Sequence, residues 1–297
     1  MAIWNLGSIN LDLVYTLSRF PAPGETLAAD QVDRFLGGKG ANMSVAAARA
    51  GATVHHIGAV GPDGAEMVQK LSDFGVDTAK VAAANSPTGH AVIYVVANKD
   101  SKEKGENQIV LFPGANQDLT SEHVENAMAG ATVGDIFVTQ NETNMQVEAC
   151  RLAAAKGLRV CYAAAPFDAG AVAAVLPYLD FLILNQVEAE QLFEATGKRA
   201  EELGIKDVIV TLGGDGARHI DGSTGKVSTF DAFDVEVVDT TGAGDTFTGY
   251  VLAGLDAGQS MDVAIKMASR AAAVMVTRRG TADVIPTLAE AKSADLK

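Results

Sequence analysis

Val237-Val238-Asp239-Thr240-Thr241-Gly242-Ala243-Gly244-Asp245-Thr246-Phe247 is the stretch from which the rest of the chain can be read. Its β-branched start predicts the end of a strand and its glycines a turn. Its last residues predict the first turn of a helix running on through Tyr250, Val251 and Leu255. Neither glycine carries a Cβ, so the backbone can approach a ligand closely here. The first N–H groups of a helix lack internal partners and lie at the positive end of its dipole, which suits a phosphate. A carboxylate repels a phosphate, so Asp245 in such a turn points to a base aimed at a second substrate. The helix dipole should favour its ionised form. The plainer alternative is that Asp245 caps the helix and the glycines only turn the chain.

Two familiar nucleotide motifs do not fit. Read as a dinucleotide turn, Gly242-x-Gly244 requires a third glycine where Phe247 stands, and only Asp262 offers the acid expected about twenty residues on. Lys39 follows Gly38, but Asp33 and Gly40 occupy the places where a P-loop needs glycine and Ser or Thr.

The 297 residues can bury a sizeable core and predict a single α/β domain. Hydrophobic residues make up 48% and charged residues 20%, as in ordinary globular proteins. A formal charge of −14 argues against nucleic acid and anionic membrane surfaces as partners. Cys150 and Cys161 fit neither a disulfide framework nor a zinc site and are expected as buried free thiols. Neither a signal-peptide pattern nor a membrane-spanning apolar run is visible, and a cytoplasmic protein is expected.

Apolar runs followed by polar or glycine-rich turns recur along the chain. Ala2–Leu6 ends at Gly7, and Asp135–Thr139 ends at Gln140-Asn141-Glu142. Phe181–Leu184 delivers Asn185 and Glu188, and Asp207–Leu212 delivers Gly213-Gly214-Asp215-Gly216. Interspersed helices are expected at 41–50, after Pro62-Asp63-Gly64 and at 144–156, which predicts a parallel sheet covered on both faces. Open sheets of this kind place ligands beyond their strand ends. The rhythm breaks in segments 11–17, 26–36, 88–96 and 107–112, which predict a small separate sheet. The charged run 98–107 would be its solvated hairpin tip. Asn10 and Asp12 share one face of an extended segment, which suits either sugar hydroxyls or turn chemistry.

Four motifs in order resemble those of the ribokinase-like (PfkB) carbohydrate kinase family: Gly7-Ser8-Ile9-Asn10-Leu11-Asp12, Gly37-Gly38-Lys39-Gly40-Ala41-Asn42, Asn185-Gln186-Val187-Glu188 and the opening stretch. The resemblance runs from Gly7 to about Gly280. It implies a three-layer α/β/α fold with a β-sheet lid, and a kinase that moves the γ-phosphoryl group of ATP to a sugar hydroxyl, foremost D-ribose to D-ribose 5-phosphate. Fructose, 2-keto-3-deoxygluconate and nucleosides are the alternative acceptors within the family, and a non-catalytic sugar or nucleotide sensor on the same fold is the more distant alternative.

By the same resemblance, Asp245 is the general base and the N–H groups of Gly242, Ala243 and Gly244 are the anion hole. The sugar contacts are Asn10, Asp12, Gly38, Lys39, Asn42 and Glu142. Asn185 and Glu188 organise Mg²⁺, although Asn at a helix start with Glu three residues on also describes a capping box. Thr211, Gly213, Gly216 and Ser269 lie on the nucleotide side, Ser269 where His is frequent. A K⁺ site is implied at Asp239 and Thr241 with carbonyls near Val276 and Gly280, and a homodimer is implied through the lids. Two departures stand out: Val284 in place of a hydroxyl residue near the last cation ligand, and Ala163-Ala164-Ala165-Pro166 in place of the usual Asn-Pro-Ala-Pro.

Overall fold

In the computed structural model, which describes residues 1–96 and 106–296, period-2 alternation sorts strand side chains to two faces. The first strands are β1 (Ile3–Leu6), β2 (Asn10–Leu17), β3 (Gln31–Gly37), β4 (Val54–Val60), β5 (Asp77–Ala83), β6 (Gly89–Val96) and β7 (Glu106–Phe112). They are followed by β8 (Ile136–Gln140), β9 (Arg159–Ala163), β10 (Phe181–Asn185), β11 (Asp207–Thr211), β12 (Ala217–Asp221) and β13 (Lys226–Phe230). The helices are α1 (Lys39–Arg49), α2 (Ala65–Asp73), α3 (Ser121–Ala127), α4 (Gln146–Ala155) and α5 (Ala169–Val175). The remaining helices are α6 (Gln186–Thr196), α7 (Ala243–Asp256), α8 (Met261–Val276) and α9 (Leu288–Ser293).

Among the described residues the main sheet has nine strands in the order β13-β12-β11-β10-β9-β8-β1-β4-β5. Its strands run parallel from β5 to β11; β12 and β13 add an antiparallel edge. Phe181 and Ile183 point into one core with α1, α2, α7 and α8, while Leu182 and Leu184 point into another with α3–α6. This is the expected three-layer α/β/α arrangement. Burying both faces explains why the central strands are nearly continuous apolar runs.

The second sheet, in the order β3-β2-β6-β7, is the expected lid. Its central pair, β2 and β6, is parallel and its outer pairs are antiparallel. β3 begins at Gln31, not at Thr26, because β2 ends at Leu17: the Asp30 N–H makes the last bond to it, at the Thr16 carbonyl (2.9 Å), and residues 26–29 have no pairing with it. The expected hairpin tip lies mostly outside the described residues; only Glu106 and Asn107 belong to β7.

One expectation about the opening stretch fails. Val237 and Val238 belong to no strand and are 46% and 58% exposed. The N–H groups of Val238 and Asp239 donate to the Val276 carbonyl at the end of α8, so a helix end takes the donors a ladder would use. The hairpin β12–β13 and edge strand β5 were not anticipated. Cys150 and Cys161 are buried and free, as expected. Among the described residues, no helix is long and apolar enough to cross a membrane.

Candidate active site

The chain passes between core and lid at Gly7–Asn10, Gly37–Lys39, Thr88–Gly89 and Phe112–Gly114, so the lid roots and the carboxyl ends of the parallel strands meet. Three of the expected sugar contacts, Asn10, Gly38 and Lys39, stand at these passages. Gly7 and Gly40 touch back to back, and a Cβ on either would run into the backbone of the other. Beneath them lies a chain of hydrogen bonds in which every direction is fixed. His56 Nε2 donates to the Gly7 carbonyl (3.1 Å), so Nδ1 accepts from the Ser44 hydroxyl (2.8 Å). Ser44 Oγ and the Gly40 carbonyl accept from Asn5 Nδ2 at 2.8 Å each, and Asn5 Oδ1 accepts from Gln140 Nε2 at 2.9 Å. Burial pushes His56 down to about 4, so the ring is neutral at ordinary pH. These polar residues in apolar strands were the available sequence signal for this floor.

Glu142 closes one side. Its Oε2 accepts from Ser8 Oγ (2.5 Å) and from the Lys39 N–H (3.0 Å), joining three separate segments. Asp12 is buried near it. Burial first and the charge of Glu142 second raise the Asp12 carboxyl from 3.8 to about 7.

α1 and α7 carry the centre of the site. The left-handed Gly242 (φ 77°) turns the chain into α7, and Asp245 follows in its first turn. Asn42 of α1 donates from Nδ2 to Asp245 Oδ2 at 3.0 Å, while Asn42 Oδ1 is buried without a protein partner. Burial pushes the Asp245 carboxyl up, whereas Lys39 and the Asn42 bond hold it down. Desolvation therefore opposes the dipole effect expected from the sequence, and Lys39 is the main counterweight. The Lys39 ammonium is itself held above its ordinary value, chiefly by Asp245, with Glu142 and Glu188 adding to it against burial.

A cavity of about 220 Å³ gathers Lys39, Asn185, Glu188, Thr211, Gly242, Gly244 and Asp245. Ala163, one of the two departures from the family pattern, lines it too, as does Ala165. Among the described residues the N–H groups of Gly242 and Gly244 have no backbone acceptor, while that of Ala243 donates to Thr240 (3.2 Å). Gly213 and Gly216 form the turn after β11, and Ser269 sits half-buried on α8; none of the three lines this cavity. Asn185 and Glu188 form the capping box: each accepts, at 2.8 Å, the backbone N–H of the other. Burial raises the Glu188 carboxyl.

The expected cation loop is compact. Asp239 Oδ1 accepts from the Thr241 N–H and hydroxyl (2.9 and 2.8 Å), and Oδ2 accepts weakly from the Gly280 N–H (3.3 Å). The Val276 carbonyl accepts both the Val238 and Asp239 N–H groups, which occupies its two lone pairs. The Val284 side chain lies over Gly280. Among the described residues, no cluster of three or more His, Cys, Asp or Glu side chains could hold a metal by itself.

A second cavity of about 340 Å³, lined by Ala59, Ala82–Ala84, Asn85 and Asp118, gathers no comparable set of polar and charged groups.

A buried carboxylate at a helix N-terminus, N–H groups without backbone acceptors beside it and a second small sheet above fit one class: an α/β kinase that carries a phosphoryl group to a hydroxyl. The chain belongs to the pfkB family of carbohydrate kinases, whose family profile matches residues 3–288. It is 36% identical to the ribokinase of Haemophilus influenzae over 96% of this chain and 95% of that one. The crystal structure of Cryptococcus neoformans var. grubii ribokinase in complex with ADP aligns at 32% identity and TM-score 0.82, covering 98% of both chains. Arabidopsis thaliana ribokinase complexed with ribose and ATP aligns at 27% identity and TM-score 0.83, also over 98% of both.

Proposed function

We propose that this chain is an ATP-dependent ribose kinase that transfers the γ-phosphoryl group of ATP to D-ribose, giving D-ribose 5-phosphate. The observation that carries it is the cavity lined by Asp245, the α7 N-terminus and Lys39, with Asn42 bonded to Asp245 and Glu142 bonded to the Lys39 N–H at its side. Carboxylates and amides bond a neutral polyol without needing opposite charge. Asp245, Glu142 and Glu188 face one ammonium, Lys39, so an acceptor already carrying phosphate is disfavoured.

Lys39 and Asn42 hold the acceptor against Asp245, which takes the hydroxyl proton as the oxygen bonds to phosphorus. The bond from phosphorus to the ADP oxygen breaks, and the N–H groups of Gly242, Ala243 and Gly244 stabilise the developing charge. The Ala243 N–H must first leave the Thr240 carbonyl. Thr211, Gly213, Gly216 and Ser269 face the nucleotide, which Ala165 also borders. Glu188 keeps Oε1 outside the capping box, which suits Mg²⁺, an ion that binds through one or two carboxylates, waters and phosphates; bound there it would neutralise phosphate charge. For K⁺ the fit is partial: Asp239 and the carbonyls of Thr241 and Gly280 can serve, whereas the Val276 carbonyl is already saturated.

The lid edge supports a homodimer. Ile109, Val110, Leu111 and Phe112 of β7 are all exposed, and an open apolar edge strand is normally paired or blunted. We place the second copy against it. The deciding assay is ADP formation with D-ribose, 2-deoxyribose, fructose, 2-keto-3-deoxygluconate and nucleosides. D-Ribose should give the highest kcat/KM; a tenfold preference for another acceptor overturns the ribose assignment, and no sugar-dependent ADP overturns the kinase.

A further inference from the structure

Asn116 lies in a 3-10 turn, Gly114–Gln117, just after the lid returns to the core, and is 1% exposed. Nothing in the phosphoryl transfer uses it. Its hydrogen bonds nonetheless fix the chemistry of a neighbour. The backbone N–H of Ile9 can only donate, so the Asn116 atom 2.9 Å from it is the carbonyl oxygen. The other end of the amide is therefore Nδ2, which donates to Asn10 Oδ1 at 2.7 Å and, more weakly, to the Ile9 carbonyl at 3.4 Å. With Asn10 Oδ1 engaged, Asn10 meets a ligand with its Nδ2, a donor.

Two further contacts hold this arrangement. The Asn116 carbonyl accepts from the Asn144 N–H (3.2 Å), tying the turn to the segment ahead of α4. Gly89 stands opposite Asn10 in the β2–β6 ladder, and a Cβ there would collide with Asn116 Nδ2 and Asn10 Oδ1. The lid leaves the core at Asn10, leaves it again at Gly89 and returns just before Asn116. One buried amide thus locks the root of both central lid strands and the rotamer of a cradle residue.

We propose that Asn116 is a positioning residue for the sugar: it orients the Asn10 amide so that the cradle offers a hydrogen-bond donor to an acceptor-hydroxyl oxygen. The proposal rests on Asn10 being a sugar contact. Asn116→Asp keeps shape and volume, but its carboxylate cannot donate to Asn10 Oδ1, so the Asn10 amide must turn over and present oxygen instead. The experiment is a double-mutant cycle with Asn10→Ala, Asn116→Asp and the pair, reading KM for ribose, KM for ATP, kcat and thermal unfolding. We expect each single variant to raise the ribose KM about tenfold, the worth of one buried hydrogen bond, with the ATP KM within about twofold. The double variant should be no worse than Asn10→Ala alone, because the orienting role has nothing left to orient.

If Asn10→Ala leaves the ribose KM unchanged, the cradle assignment itself is wrong. If Asn10→Ala weakens ribose but Asn116→Asp does not, or the two effects multiply in the double variant, the positioning role is refuted and the cradle survives. Should Asn116→Asp unfold, Gly89→Ala attacks the same amide contact from the lid side. It must raise the ribose KM selectively over the ATP KM, and equal changes in both refute the proposal.

Discussion

Gly249 lies four residues after Asp245 on α7, where that helix crosses α1. A Cβ built there would stand 2.5 Å from Ala46 Cβ, 2.6 Å from the Met43 carbonyl oxygen and 2.9 Å from the Ala47 nitrogen. Carbon atoms pack at about 3.5–4.0 Å, and two of these neighbours are backbone that cannot rotate away. Gly249→Ala must therefore push α1 and α7 apart by about 1 Å. Overpacking of this kind costs about 1–3 kcal/mol, while replacing a helix-interior glycine returns about 1 kcal/mol. The net loss, about 0–2 kcal/mol, lowers Tm by at most several degrees in a chain of this size.

The effect on rate should be larger, because the Asn42–Asp245 bond spans the same two helices at 3.0 Å. Opening by about 1 Å breaks it, and a misplacement of that size costs about a hundredfold in rate. The assay is ADP formation at saturating ribose and ATP, alongside thermal unfolding. Gly254→Ala is the control: its Cβ would meet Ala264 Cβ at 2.7 Å, wedging α7 from α8 away from Asn42. It should lose comparable stability but keep kcat within about threefold. If Gly249→Ala keeps the wild-type kcat, or if both variants lose kcat alike, the helix pair does not set the base, and the reasoning is wrong.

Asp245→Asn should lower kcat by about 10²–10⁴-fold with ATP binding held or tightened, since it removes a base and a charge but not the volume; wild-type kcat in the folded variant would make Asp245 structural. Asp12 titrates near 7 when folded and at 3.8 as an unperturbed carboxyl, so between those values the folded state keeps a proton that the unfolded chain has released. Its contribution to stability therefore falls as pH rises from about 4 to about 7, while kcat/KM for ribose should rise as the carboxylate forms; Asp12→Asn must lose that inflection, and an unchanged profile would assign it to another group. Val110→Lys should convert a lid-joined dimer to monomer in sedimentation experiments, and a wild-type monomer at every concentration would remove the dimer. Potassium in place of sodium at equal ionic strength should raise kcat, and identical rates would leave the Asp239 loop a structural turn.

Local chemistry made much of this protein legible in its sequence. The central strands announced themselves because both faces are buried and most positions are apolar. The turns after them stood out because glycine, Asn and Asp serve positions ordinary side chains do not. The family motifs carried the choice of Asp245 and Lys39, which line one cavity, and of Asn42, which bonds Asp245. Where a segment needed a partner, sequence was insufficient. Val237 and Val238 have strand-forming side chains, but the Val276 carbonyl takes the donors a strand would use. Residues 26–29 lie beyond the end of β2 and have no strand to pair with. The charge on Asp245 followed the same rule: the helix end is local and favours ionisation, while burial and Lys39 come from the folded chain and set the balance. Asn116 lies 106 residues from Asn10, and no spacing rule connects them. A hydrogen bond's direction depends on which groups surround it, and only the tertiary structure brings those groups together.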